Sequence, residues 1–344
     1  MTIKNRIGKM QATELNPQLK WQEEIWNQKF SWAVFEFNLI ANEKLYLPEY
    51  KGSTLRGGFG NMFRRVVCTV SGQGCQICIL NQTCPYAYVF ETPNIKSLDI
   101  KHFADNYPHP FIIEPPLTQQ KEYSAGEELV FRLILIGKSI SFLPYFIYTY
   151  DQLGHVGIGK GRGKYSLTSV YAVEDLSKNC TEQVYDNKNQ VLNGNFTIWD
   201  LKKIETHLPG NKSNEIHIDI LTPLRIVSKK KLVERLSFEI FIRNLMRRIS
   251  LLGKIHCNGD WDLDYHSIIQ HAKNDVTVCR HQTQWCDWER YSSRQKTKMK
   301  LGGIMGRITF QGNIQPFLPL IYLGQFVHVG KNTTFGLGKY QFSF

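Results

Sequence analysis

Two glycine-rich, basic segments of this sequence carry the residue types that contact phosphate. They span residues 154–164 and 330–339. Glycine lets a backbone approach a phosphate closely and point its N–H groups at it. We therefore expect both segments to bind a nucleic-acid backbone; the alternative is a tight helix-to-strand turn that needs glycine for its conformation. The binding candidates are Lys160, Arg162 and Lys164 in the first segment, and Gly336, Gly338 and Lys339 in the second.

Histidine, tyrosine and lysine near these segments are candidates for cleaving RNA without a metal. Such a reaction needs a base for the 2′-hydroxyl, an acid for the leaving 5′-oxygen and a cation for the charge that develops on the phosphorane. His155 and His328 each stand at one glycine-rich segment, and Lys331 follows His328. A basic, hydroxyl-rich stretch at 291–298 lies upstream. The candidates are His328, Lys331, Tyr291 and His155 for catalysis, and Arg294 and Lys298 for holding RNA.

Four cysteines within 17 residues form a second kind of candidate site. They are Cys68, Cys75, Cys78 and Cys84. Clustered thiols in a reducing compartment are typical of metal ligands, and the Cys75-x-x-Cys78 pair is a usual half of a tetrahedral zinc site. The pattern favours a structural zinc; an iron–sulfur cluster or free thiols are the alternatives.

The charge of the chain indicates a polyanionic partner. Its 344 residues include 42 Lys and Arg against 30 Asp and Glu, which gives a formal net charge of +12. A surplus of this size favours nucleic acid, although a basic surface without a partner has the same composition. No apolar run approaches the ~18 residues of a membrane span, and the first 20 residues lack the apolar core of a secretory signal. We therefore expect a cytoplasmic protein without a membrane partner.

An internal repeat organises the chain. Phe142-Leu143-Pro144, His155-Val156-Gly157 and the segment 161–165 recur in the same order about 175 residues later, as Phe317-Leu318-Pro319, His328-Val329-Gly330 and 336–340. Each copy reads as strand, helix, strand, strand, helix, strand, which is the ferredoxin-like βαββαβ pattern. The expected fold is α+β, with tandem ferredoxin-like, RRM-like domains and a Cys-rich insertion after the first helix.

The same pattern predicts the domain boundaries. We expect an N-terminal extension at 1–29, a first domain at 30–175 with the insertion at 68–84, a linker at 176–212 and a second domain at 213–344. Within the linker, Phe196–Leu201 is apolar enough to pack. In the first domain, Ser31–Ile40 alternates as a half-buried strand does, and Ser53 is the expected N-cap of the first helix.

Several motifs resemble those of the CRISPR-associated endoribonucleases that cut precursor CRISPR RNA within its repeats, members of the repeat-associated mysterious protein (RAMP) superfamily. The motifs are Leu55-Arg56-Gly57-Gly58-Phe59-Gly60, the Cys cluster ending in Cys84-Pro85-Tyr86-Ala87, Thr222-Pro223-Leu224-Arg225, the Arg247-Arg248 helix, 290–295 and 316–340. On this resemblance, Arg56, Arg247 and Arg248 join the RNA-binding candidates.

The resemblance implies metal-independent cleavage of CRISPR repeat RNA into mature guide RNA, leaving a 2′,3′-cyclic phosphate and a 5′-hydroxyl, with effector-complex subunits as further partners. Many relatives use a histidine near the first helix, whereas 53–68 contains none here. Tyr46, Tyr50 and Lys51 are therefore alternates to His328 and Lys331. Two other functions stay open: a non-catalytic RNA-binding subunit of an effector complex, and a metal-centred DNA-binding or repair module.

Overall fold

The computed structural model describes residues 17–70, 72, 74–91, 107–175, 180–208, 213–292 and 297–344, with side chains at all of these except 17–20, 180 and 289–300. The helices are α1 (Pro17–Trp26), α2 (Gly52–Val67), α3 (Leu143–Val156), α4 (Leu201–Glu205), α5 (Phe238–His256), α6 (Tyr265–Asn274) and α7 (Leu318–Val327). The strands up to residue 200 are β1 (Ser31–Ala41), β2 (Leu45–Tyr46), β3 (Phe111–Glu114), β4 (Glu122–Tyr123), β5 (Glu128–Ile136), β6 (Tyr165–Asp175), β7 (Cys180–Asp186), β8 (Val191–Leu192) and β9 (Trp199–Asp200). Those after it are β10 (Glu215–Leu224), β11 (Val227–Ser228), β12 (Lys231–Leu232), β13 (Val276–Cys286), β14 (Glu289–Ser292), β15 (Thr297–Lys300), β16 (Gly303–Gly312) and β17 (Tyr340–Ser343).

The N-terminal domain is built on the order β3-β5-β1-β6, with neighbouring strands antiparallel. With α2 after β1 and α3 after β5, this is the ferredoxin-like arrangement that the repeat predicts. Phe35, Phe37 and Leu39 of β1 are fully buried in a core that includes Leu55 and Phe59 of α2. The alternation of β1 therefore directs one face of the sheet towards the helices.

The C-terminal domain repeats this order as β13-β16-β10-β17. Its first helix, α5, begins after Ser237, whose hydroxyl accepts a hydrogen bond from the Ile240 N–H. The corresponding expectation for α2 is wrong. That helix already begins at Gly52, and Lys51 stands at its N-cap without a side-chain capping bond. The two ferredoxin-like copies are confirmed, and their caps differ.

The expected linker is wrong for its described part. Within 180–208, β7 pairs with β6, β8 with β7, and β9 with β1, so this segment extends the first sheet. Trp199 and Leu201 are buried, as the apolar character of Phe196–Leu201 predicts. Apolar residues among the Asn and Lys of this segment allow it to pair with an existing edge.

The two domains share one core at their boundary. Trp32, Val34 and Ile112 lie on the face of the first sheet away from α2 and α3, and they are buried with the apolar residues of α5 and α7. Helix α1 also packs here, with the ring centroids of Trp21 and Phe317 5.2 Å apart. The described part of the expected extension, residues 17–29, therefore contributes Trp21 and Ile25 to the C-terminal core. None of the helices in the described ranges is long and apolar enough to cross a membrane.

Candidate nucleic-acid interface

The second glycine-rich loop lies in the seam between the domains, the surface along which they pack. Gly336 and Gly338 are buried and have φ of +83° and +71°, in the left-handed region that favours glycine. A Cβ at Gly338 would lie 1.8 Å from the Val329 carbonyl oxygen, and one at Gly336 would lie 2.7 Å from that of Ile113. The tight-turn alternative therefore describes these two glycines, and the expectation that they cradle RNA phosphate is wrong for this conformation.

A carboxylate, an imidazole and an ammonium group from the two domains meet beneath this loop. Glu114, at the end of β3, accepts hydrogen bonds from His328 Nε2 at 2.7 Å and from Lys339 Nζ at 2.7 Å. Burial alone would raise the pKa of Glu114, but the Lys339 charge and the His328 hydrogen bond lower it to about 2. The carboxylate is therefore ionised at neutral pH and holds residues 328 and 339 against the N-terminal domain.

His328 has no ring nitrogen available to a substrate. Its side chain is fully buried, with Nε2 against Glu114 and Nδ1 at 3.1 Å from the Leu337 carbonyl oxygen. Burial lowers the pKa of His328, and the Glu114 carboxylate opposes that effect. A general base must reach the proton it removes. In this arrangement His328 acts as a structural residue, and we do not retain it as the candidate base. The Lys339 ammonium group is likewise hydrogen-bonded to Glu114.

The start of α2 packs against the same loop. Tyr50 donates its hydroxyl hydrogen to the Phe335 carbonyl oxygen and stacks on Trp288, with ring centroids 4.1 Å apart. Lys51 is fully buried and donates to the carbonyl oxygens of Glu49 and Thr118, and burial lowers its pKa. Of these alternates to His328, Tyr50 thus joins the two domains, Lys51 is held within the N-terminal domain, and Tyr46 is 42% exposed.

Arg56 and Arg248 add positive charge to the seam. The Arg56 guanidinium lies 4.9 Å from the ring centroids of both Phe90 and Phe335. Arg248 is buried; its Nε donates to the Val327 carbonyl oxygen, and burial lowers its pKa to about 9. One terminal nitrogen of Arg248 has no hydrogen-bond partner among the described residues. Arg248 is therefore charged at neutral pH but is not a surface contact for RNA, whereas Arg247 of the same helix is exposed.

Two histidines, the buried His256 and the half-buried His109, lie close to these arginines. His256 Nε2 donates to the Pro108 carbonyl oxygen at 2.9 Å, so Nδ1 accepts from the Tyr88 hydroxyl at 2.8 Å. Burial lowers the pKa of His256 to about 4. Burial and the charge of Arg56 lower that of His109 to about 3. Both rings are therefore neutral near pH 7, because burial disfavours their charged form and the nearby arginine charges repel a further proton.

The first glycine-rich loop, in contrast, is exposed. Lys160, Arg162 and Lys164 all present exposed side chains, and Arg162 has φ of +55°. His155 at the end of α3 is 73% exposed, with Nε2 3.9 Å from an Asp151 carboxylate oxygen. The prediction that this loop contacts RNA is thus compatible with its position. The repeat therefore predicts two equivalent loops, but Arg162 of the first is exposed whereas Leu337, at the same position of the second, is buried.

The remaining sequence candidates lie on the C-terminal domain. Lys331 is exposed, and its N–H donates to the Arg225 carbonyl oxygen at 2.9 Å. Tyr291 and Lys298 are paired in the β14–β15 hairpin, and their side chains fall outside the described part, as does Arg294 altogether. Their roles therefore stay predictions.

The four clustered cysteines are free thiols of intermediate burial. Cys68 Sγ donates to the Val70 carbonyl oxygen at 3.1 Å, and burial raises the pKa of Cys75. Among the described histidine, cysteine and carboxylate side chains, no group of three or more is placed to hold a metal ion. The thiols as placed do not fit a zinc or iron–sulfur site, so that prediction awaits metal analysis of the purified protein.

Sequence reasoning missed Glu114 and Trp288. Glu114 ends the apolar run Phe111–Glu114, and a carboxylate directly after buried strand residues indicates a buried partner. Its partner His328 is 214 residues away in sequence, so no local pattern joins them. Trp288 carries no comparable signal.

Comparison with known proteins finds two family models that match separate parts of the chain. Residues 30–196 match a family described as an AF_1859 N-terminal domain. An uncharacterized protein of Archaeoglobus fulgidus is 25% identical over 304 residues, which cover 86% of this chain and 92% of that protein. A Cas6 product complex has the same fold, with a TM-score of 0.54 and 14% identity over 90% of this chain and 98% of that chain. A partial Cas6–RT–Cas1–Cas2 complex aligns with a TM-score of 0.55 and 12% identity, over 93% of this chain and 47% of that one.

The C-terminal domain identifies the family. Residues 218–340 match the family model of the CRISPR-associated endoribonuclease Cas6. This range includes Thr222–Arg225, the Arg247-Arg248 helix, 290–295 and all of 316–340, which carry the resemblance noted in the sequence. That resemblance is confirmed for the C-terminal domain, which matches the Cas6 family of CRISPR-associated endoribonucleases.

Proposed function

We propose that this protein binds CRISPR repeat RNA and cleaves it at one position, by attack of a 2′-hydroxyl on the adjacent phosphate. The products are a 2′,3′-cyclic phosphate and a 5′-hydroxyl. The observation that carries the proposal is the Cas6 match of residues 218–340, the domain that contributes Arg247, Lys331 and Trp288. The net charge of +12 supports a polyanionic substrate.

The chemistry requires no metal in this proposal. The 2′-hydroxyl is an internal nucleophile, so the protein has to align it, accept its proton and offset the charge on the phosphorane. Lys331 is an exposed cation on the loop that Glu114 and Lys339 hold in place, and it is the side chain we assign to that charge. His155, whose side chain is exposed, and Tyr291 stay candidates for proton transfer.

A cleavage assay in EDTA tests this function. Repeat RNA should be cut at one position, and a 2′-deoxy substitution at that nucleotide should abolish the cut because the nucleophile is gone. Cleavage of the deoxy substrate would exclude the mechanism. Lys331→Ala should slow single-turnover cleavage by at least about tenfold, since a cation placed at developing charge contributes roughly 2.7–4 kcal/mol. Lys121→Ala is the control, because Lys121 is exposed and paired with Glu49 at 3.2 Å.

A second function is favoured by one observation. His109, His256 and His328, the described histidines nearest the seam, are sequestered from solvent or held neutral by their surroundings. A protein that lacks a working base would bind repeat RNA and release it uncut, as a non-catalytic subunit of an effector complex. Tight, salt-sensitive binding without a 5′-hydroxyl product would establish this alternative. One similar structure is a complex of Cas6, RT, Cas1 and Cas2, so proteins of these kinds are the partners to test.

A further inference from the structure

A cationic groove lies on the helical face of the N-terminal domain, away from the seam. The C-terminal half of α2 forms one wall, with Asn61, Arg64 and Arg65, and the end of α3 and its loop form the other, with Val156 and Arg162. Its volume is about 730 Å³. A cavity of this size falls within the range of roughly 300–1,000 Å³ that is typical of ligand sites.

The groove combines positive charge with an apolar floor. Arg64, Arg65 and Arg162 line it together with Met62 and Leu153, and none of its described lining residues is acidic. Asp151, the acidic residue of α3, lines a separate depression beside His155. Arginines in the last turn of a helix also offset its dipole, but Arg162 comes from a different element. Three cations from two elements therefore face one cavity.

This combination suits a single strand of RNA. Bases of an unpaired strand stack on apolar surface while its phosphates contact cations along the groove. A duplex presents only its backbone and groove edges and keeps its base faces stacked inside, so it cannot use the floor. The exposed Lys160 and Lys164 continue the positive surface from Arg162 along the first glycine-rich loop.

The position of the groove relates it to the seam. Helix α2 starts at the seam, where a Cβ at Gly52 would lie 2.1 Å from the Phe335 carbonyl oxygen. Arg65 comes 13 residues later on the same helix. At about 1.5 Å per residue, the groove therefore lies roughly 20 Å from the seam. A strand that is held at the seam reaches it only with nucleotides that flank the held position.

We propose that this α2–α3 groove, lined by Arg64, Arg65 and Arg162, binds a single-stranded segment of the RNA that flanks the cleaved phosphate. The inference rests on the proposed function, since it takes the same RNA as its ligand. In this inference, the groove selects RNA substrates by their length and by the nucleotides that flank the cleaved phosphate. The bond-breaking step stays at the seam.

Substitution of two groove arginines, one from each wall, tests the charge. For Arg65→Gln/Arg162→Gln we expect about tenfold weaker binding of a repeat RNA with both flanks, and a log–log salt slope smaller by about 1.4, because each single-strand phosphate contact contributes about 0.7. The control is Arg243→Gln/Arg307→Gln, which removes two exposed arginines paired with Glu239 and Asp219. Equal affinities and slopes for the two double variants would overturn the inference.

A matched pair at Asn61 tests the cavity itself. Asn61 is exposed and lines the groove. Asn61→Glu places a negative charge among the arginines and should weaken binding, whereas Asn61→Gln has the same size without the charge and should bind like the wild type. Thermal unfolding of each variant checks that the fold is intact. Equal binding by the two variants would contradict the proposal.

Truncated RNAs separate this inference from the proposed function. When nucleotides are removed from one flank, the affinity gap between the groove variant and the wild type should close, while cleavage at the single position persists. A gap that survives removal of either flank would overturn the flanking-strand assignment. Wild-type protein that neither binds nor cuts repeat RNA would refute the proposed function, whereas normal cutting with unchanged groove variants refutes the groove alone.

Discussion

Glu114 of the N-terminal domain and His328 of the C-terminal domain face each other across the seam, with 2.7 Å between Oε1 and Nε2. The second carboxylate oxygen of Glu114 accepts from Lys339, also at 2.7 Å. The carboxylate is 7% exposed and the imidazole 0%. The Glu114 carboxylate thus accepts hydrogen bonds from side chains at both ends of the second glycine-rich loop.

Glu114→Gln should destabilise the protein strongly. Removal of one partner of a buried ionic cluster leaves the others unpaired, which costs on the order of 3–5 kcal/mol. The measurement is the free energy of unfolding in urea at pH 7. Glu36→Gln is the control, because Glu36 and Arg132 form a more exposed pair at 3.2 Å, a kind that contributes about 0–1 kcal/mol. Equal losses of unfolding free energy in the two variants would show that the Glu114 cluster contributes no more than a more exposed ion pair.

The stability of the protein should fall as the pH drops below about 6.5. The pKa of His109 is lowered to about 3 and that of His256 to about 4. Below about pH 6.5, the unfolded chain therefore binds protons at these two histidines that the folded chain does not bind. The stability that the neutral rings provide is present above the histidine pKa of the unfolded chain and is lost as the pH falls below it. Each histidine contributes up to about 1.4 kcal/mol per pH unit. Glu114, with its pKa lowered to about 2, adds a further loss below pH 4.5.

Urea unfolding at pH 7.5, 6 and 5 measures this dependence. His256→Gln should reduce the slope between pH 6.5 and 5, whatever its effect at neutral pH. His155→Gln should leave the slope unchanged, because that side chain is 73% exposed. A His256→Gln slope identical to that of the wild type would contradict the assignment.

Gly338→Ala should destabilise the C-terminal domain by more than about 2 kcal/mol, since a positive φ and a clash add together. The new Cβ would lie 1.8 Å from the Val329 carbonyl oxygen, at φ of +71°. Gly74→Ala is the matched substitution, because nothing lies within 4 Å of its Cβ position. Thermal unfolding of the two variants provides the comparison, and an unchanged melting temperature for Gly338→Ala would refute the packing argument.

His328→Gln should affect folding more than catalysis. Loss of a general base lowers a rate by about 10²–10⁴-fold, whereas loss of a buried positioning residue leaves most of the rate in the molecules that stay folded. The measurement is the single-turnover cleavage rate at a temperature where the variant is folded, corrected for the folded fraction. A drop of about 100-fold or more in folded protein would restore His328 as a catalytic residue.

The fold could be predicted from the sequence because apolar residues recur with strand or helix periodicity in both copies. Phe35, Phe37 and Leu39 alternate along β1, and Leu245, Ile249 and Leu252 recur at helical spacing along α5. Such patterns report which face is buried without reference to the rest of the chain. The strand orders then follow from the βαββαβ connection.

The candidate site was harder to predict from the sequence, because the burial of its residues depends on the other domain. The two glycine-rich loops look alike in sequence, yet Gly336 is covered by Ile113 and Pro115 while Arg162 faces solvent. The pairing of Glu114 with His328 joins positions 214 residues apart. Helix α1 and strands β7 and β9 similarly contribute buried residues to cores formed by distant segments, so composition alone suggests an extension and a linker.

Helix α1 precedes the first copy in the chain but covers the core of the second, where Trp21 packs on Phe317. A fragment ending at residue 208 would therefore keep a helix whose apolar side has lost its cover, and one starting at 213 would expose Phe317 and its neighbours. Although the molecule is built from two similar halves, neither can be expressed alone as a well-behaved unit.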